Sequence, residues 1–298
     1  MARNFTKQAL LGFAAVCASA LMAAPASAQN AELAVFSTSD EQSSVSLNYR
    51  PWNEFMNAYT VTQGDRVTIF FDGIESNGTT FLNSWVNFLE GVNPSSLSRT
   101  HQQTYWLNLH NALVVDALVK QSRRRNLNRA RGTGAEPGEL WTAERVTVEG
   151  VDLSIQDVED VIAANFANPL NFYALYQGVE GGPALPKQAL TPNSLQASLQ
   201  EAAVKFLGSR QGLRGVRRGN ARLSGVYEWY LDDFFGGDTA ALLEHVKTYA
   251  RGRSAQDLSE ASSVDFQNVN YRAEVYEVRV ERQLPASPRG GSSSGSGS

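Results

Sequence analysis

Cysteine is almost absent from this 298-residue chain, and the single thiol is Cys17. It lies in an N-terminal stretch that reads as an export signal. Arg3 and Lys7 form the charged region, Ala9 to Met22 the apolar core, and Ala26-Ser27-Ala28 the small-residue cleavage site. Residues 1–28 are therefore expected to be removed, leaving Gln29 first and no thiol in the mature chain. That excludes disulfides, thiolate metal sites and cysteine nucleophiles, even in an oxidising compartment that would permit disulfides. Lipid attachment at Cys17 is disfavoured, because Val16 stands where a small residue is needed and the apolar core continues past it. The apolar run is short and alanine-rich for an anchor, so no transmembrane segment is expected after cleavage, and the expected location is periplasmic or secreted.

Histidine is nearly as scarce. Only His101, His110 and His245 occur, no two at metal-ligand spacing. Neither a cofactor nor a metal is expected from them. The formal net charge of -4 is modest and gives no whole-protein steering. No internal repeat and no dividing linker is visible, so a single domain over residues 46–284 is expected, held by its core alone. About 250 residues suffice for that, and 42% hydrophobic residues is ordinary globular composition.

What is present is mostly helical periodicity. Trp52, Phe55, Met56 and Tyr59 recur at three- and four-residue steps, and Phe81, Leu82, Trp85, Phe88 and Leu89 mark a second helix over 79–90, ended by Gly91. A central helix is expected over 98–121, with Arg123, Arg124 and Arg125 near its negative pole. Strand patterns appear at 66–71, closed by an Asp72-Gly73 turn, at 145–153 around Glu149-Gly150, at Phe172 to Tyr176, and at 268–280. Ser154 to Asp157 resembles a capping box opening a helix to about Ala167. Further helices are expected from Thr191 or Asn193 to Leu207, in the aromatic stretch beyond Arg222, and over 239–250. Residues 29–45 read as a flexible lead-in, and Gly178 to Pro186 as a loop. The Gly/Ser-rich 285–298 segment has nothing to bury and reads as a flexible tail. The fold class is α+β, helix-rich with a small sheet.

The central helix also carries the strongest functional signal. Asn108, His110, Asn111 and Asp116 interrupt the apolar run from Tyr105 and Trp106 onward. A buried amide or carboxylate without a partner costs roughly 1 to 3 kcal/mol, so these groups call for defined partners. Glu228 and Asp232, four apart, are like charges that a cation would relieve. A solvated acidic face accounts for them more simply, and they rank only as weak metal candidates. Two arginine clusters, 123–131 and 210–222, read as solvated loops. Without aromatic residues between them, nucleic acid is not the expected partner.

Four segments in order carry a resemblance: Tyr49-Arg-Pro-Trp-Asn-Glu-Phe55, Tyr105-Trp-Leu-Asn-Leu-His-Asn-Ala112, Leu153-Ser-Ile-Gln-Asp-Val-Glu159, and Leu223 to Phe234 with its Trp-Tyr-x-x-Asp-Phe core. Together they resemble the domain-of-unknown-function family 547, with Val92 to Arg99 between the first two. The resemblance implies a fold rather than an activity. Members usually carry a histidine leading to a cysteine after the middle helix, a combination that suggests thiol hydrolysis. Here Phe172 stands at the histidine position, Gln177 near the cysteine, and Asp160 replaces a further histidine.

The expectation is an exported, non-catalytic binding or interaction module, its partner an unidentified envelope ligand or protein. Trp106, Asn108, Asn111, Glu159, Trp229, Tyr230 and Asp233 are expected to form a polar and aromatic cluster. The alternative is a hydrolase of envelope peptide or ester bonds using His110 with Glu159 or Asp233.

Overall fold

The computed structural model describes residues 32–64, 66–70, 74, 76–121 and 126–274. The expected signal segment, the Asp72-Gly73 turn, Arg123 to Arg125 and the 285–298 tail lie outside the described residues.

Among these residues the chain forms a helix-rich α+β domain built around one long helix, α3 (Arg99–Lys120). Every residue from Thr104 to Leu118 is buried. A helix that is apolar all round has no solvent face to offer, so it becomes the centre on which the others pack. Helix α1 (Arg50–Tyr59) turns Trp52, Phe55 and Met56 inward, and α2 (Ser76–Glu90) buries Leu82, Trp85 and Leu89. Phe88, expected on the same face, is instead 43% exposed. Between α1 and α2 lies an antiparallel pair, β1 (Thr60–Gln63) with β2 (Arg66–Ile69). The sequence showed only its second strand.

The hairpin β3 (Val146–Val148) and β4 (Val151–Leu153) turns through Glu149 and Gly150, with φ of 48° and 83°. Two left-handed residues make the turn whose twist matches paired strands. Helix α4 (Ile155–Asn165) follows at once, opened by a complete capping box between Ser154 and Asp157, and packs on α3. It ends two residues before the expected Ala167.

The expected strand at Phe172 to Tyr176 is a correction. Residues Pro169–Ala174 form a 3-10 helix, opened by the Asn168 side chain accepting from Leu170 N and by Pro169 at its first position. An apolar run of that length buries equally well in either form, and here the cap and the proline decide. Helix α5 (Leu195–Gly208) begins slightly later than the sequence suggested.

The second arginine cluster is not a loop. Strands β5 (Leu213–Arg217) and β6 (Asn220–Ser224) form a hairpin, and β7 (Ser263–Gln267) joins β6 in parallel. Helices α6 (Leu231–Phe235), α7 (Thr239–Tyr249) and α8 (Gly252–Ser259) intervene. The final strand was expected at 268–280. The chain there makes only single bridges, Arg272 to Asn126 and Ala273 to Val179, and 275–280 lies outside the described residues.

The expected loose lead-in also differs. Leu33 and Phe36 are buried, and Phe36 packs edge-on against Trp106 at 4.8 Å. Gln102 Nε2 donates to Thr38 O at 2.7 Å, which fastens this segment to α3.

Candidate functional site

Glu159 is the point on which the buried polar groups converge. It projects from α4 and is 4% exposed. Its Oε1 accepts from His110 Nε2 at 2.8 Å, Tyr230 OH at 2.7 Å, Trp141 Nε1 at 3.1 Å and Gln177 Nε2 at 3.4 Å. Burial alone would raise this carboxyl. The hydrogen bond and charge of His110, the charge of Arg131 and the Tyr230 hydroxyl outweigh burial and hold it at about 2.

His110 is fully buried. Tyr176 N–H donates to Asn111 Oδ1 at 3.0 Å, which fixes that oxygen as an acceptor, and His110 Nδ1 faces it at 3.2 Å. Both ring nitrogens thus face oxygen atoms of the protein. Tyr230 is held neutral, because burial and the adjacent Glu159 charge raise its hydroxyl well above the ordinary value.

Arg131, 1% exposed, brings a guanidinium into the cluster. Its Nε and Nη2 donate to Gln177 Oε1 at 3.1 and 2.6 Å, and Nη2 reaches Tyr230 OH at 3.3 Å. The guanidinium lies 3.9 Å from the Trp141 ring and 4.5 Å from the Trp229 ring, so two indole faces replace its water. Gln177 joins the two halves, accepting from Arg131 and donating to Glu159.

The structure therefore brings together Asn111, Glu159, Trp229 and Tyr230 of the expected cluster, with His110 of the hydrolase alternative beside them. It leaves three members out. Trp106 packs on Phe36, and its Nε1 meets no partner among the described residues. Asn108 clamps a loop instead, its Oδ1 accepting from Leu190 N at 3.0 Å and its Nδ2 donating to Leu190 O at 2.8 Å. Asp233 is exposed on α6. Arg131, Trp141 and Gln177 complete the cluster and were not foreseen as members.

Asp160, beside Glu159, is half-buried. Burial pushes its carboxyl up to about 6, the Gln156 hydrogen bond opposes this, and the Glu159 charge adds to it. Glu228 and Asp232 do not share a helix, because the turn Val226–Trp229 ends at Tyr230 before α6 begins. Among the described residues no group of three or more His, Cys, Asp or Glu is placed to hold a metal ion. His245 is half-buried among Tyr173, Phe235 and Tyr249, and burial lowers it to about 4.

Residues 94–207 match the family model described as "Protein of unknown function, DUF547". This segment is a DUF547 domain. It contains α3, α4, the 3-10 helix and α5, and so supplies His110, Arg131, Trp141, Glu159 and Gln177. Trp229 and Tyr230 come from outside the matched DUF547 segment, as do the resembling segments at 49–55 and 223–234. No curated protein and no solved structure matches the chain.

Proposed function

We propose that the protein is an exported binding or interaction module of the cell envelope, in which the Glu159 cluster fixes the fold and does not turn over a substrate. The observation that carries this reading is the burial of the His110–Glu159 pair. His110 and Glu159 are 0% and 4% exposed, and both ring nitrogens of His110 and the Oε1 atom of Glu159 are engaged by protein groups. A general base must reach the proton that it removes. Asp233, the other carboxylate considered for a hydrolase, is exposed and makes no hydrogen bond to the pair among the described residues, although burial and the Glu159 charge raise it. The pattern of residues 1–28 supports export.

Alanine substitution of His110, Glu159 and Asp233 one at a time tests the reading. A structural cluster loses melting temperature at His110 and Glu159 and little at Asp233. Hydrolysis of an ester or peptide substrate by the purified protein, abolished by one of these variants while it stays folded, would overturn it. Fractionation with N-terminal sequencing tests export, and the mature chain is expected to begin at Gln29.

A further inference from the structure

Arginine is tied down across most of this fold. Arg50, Arg66, Arg99, Arg131, Arg222 and Arg272 each engage a side-chain acceptor. The β5–β6 hairpin and the turn leading into it differ. Among the described residues, the guanidinium groups of Arg210, Arg214, Arg217 and Arg218 make no hydrogen bond and no ion pair, and all four residues are exposed.

The register explains how the hairpin presents them. Leu213, Ala221 and Leu223 are buried toward the core, which leaves Arg217, Asn220 and Arg222 on the outer face. Asp265 is the acidic residue on that face, directly across from Arg222 on β7. It accepts from Gln267 Nε2 at 2.8 Å, and Gln267 Oε1 accepts from Arg222 Nη2 at 2.6 Å. Asp265 thus answers Arg222 and leaves the other four cations unanswered. Arg218 occupies the first turn position at φ 53°, a left-handed conformation that asparagine or glycine adopts more readily. A strained arginine at the tip of a hairpin is a local cost without a local return.

We propose that this face docks on an anionic phospholipid surface. The guanidinium fork matches phosphate oxygens two at a time. The hairpin projects its charges outward, so it fits an extended layer of phosphates better than a small enclosed anion. A protein partner calls for an apolar centre, and the large exposed apolar residues Val35, Val45 and Phe88 lie elsewhere. The strands present no exposed aromatic ring on which a nucleic-acid base would stack. The proposal extends the binding-module reading, and its assay is separate from any measurement of turnover.

The test is co-sedimentation with vesicles of equimolar phosphatidylcholine and phosphatidylglycerol, against vesicles of phosphatidylcholine alone and against a DNA duplex. Binding is expected only to the anionic vesicles, weakening with added salt and falling about five-fold for each arginine replaced by serine. Arg218→Asn should melt higher than the parent while binding vesicles less, a combination that misfolding cannot produce. The proposal is overturned if the parent protein ignores anionic vesicles, if the serine variants bind undiminished, or if the duplex binds and the vesicles do not.

Discussion

Replacing Glu159 by glutamine keeps the shape of the side chain and removes the only anion in the buried cluster. The buried Arg131 guanidinium then has no carboxylate in the cluster to balance its charge. A carboxyl held at about 2 instead of its ordinary 4.5 corresponds to about 3 kcal/mol in favour of the ionised form. That agrees with the roughly 3 to 5 kcal/mol lost when one partner of a buried ion pair is removed. For a domain of this size each kcal/mol moves the melting temperature by roughly 2 to 4 °C, so a fall of roughly 6 to 12 °C is expected. Thermal unfolding followed by circular dichroism measures it, and a cycle with His110→Gln isolates the pair. The pH dependence carries the same information. The folded value lies below the unfolded one, so the stabilisation is present above about 4.5 and is lost as the pH falls through about 2. Glu159→Gln should remove that acid-limb dependence. A loss below about 1 kcal/mol, or an equal loss in the His110→Gln background, would refute the reasoning.

Other substitutions probe other contacts. Burial raises Glu274 to about 7, with Arg66 opposing and Glu180 adding, so its contribution is present below about 4.5 and lost as the pH rises through about 7. Glu274→Gln should therefore flatten the fall in melting temperature between about pH 5 and 8. Phe36→Ala should cost about 3 kcal/mol in urea unfolding, because the ring is wholly buried against Trp106. A side chain at Gly134 would place its Cβ 2.7 Å from Trp229 Cα. Gly134→Ala is expected to destabilise by about 1 to 3 kcal/mol and to shift tryptophan emission as the indole leaves Arg131.

The parts of this fold legible in the sequence are those whose physics is local. The faces of α1 and α3, the capping box at Ser154 and the Glu149-Gly150 turn depend on spacings of a few residues. The polar interruptions at His110 and Asn111 were legible for a related reason, since an apolar helix rarely carries them without a partner. Arg131 was not. An arginine in a glycine-rich neighbourhood reads as solvated, and only the meeting of Trp141 and Trp229, far apart in the chain, makes its burial affordable. Trp141 gave no sign of its role, and Gln177 was noted only for what it replaces. The β5–β6 hairpin escaped notice because arginine-rich strands lack the β-branched pattern and its turn has arginine where asparagine is usual. Asn108 was recognised as needing a partner, but the sequence could not say that the partner was the backbone of Leu190.

The parallel pairing of β7 on β6 sets the order in which the chain can be completed. While the polypeptide is being made, β5 and β6 can zip together at once, yet the far edge of β6 stays bare until four more helices have emerged and Ser263 arrives. A chain nicked or stopped ahead of that point would keep an open row of backbone donors and acceptors, the template on which strands of neighbouring molecules stack into aggregates.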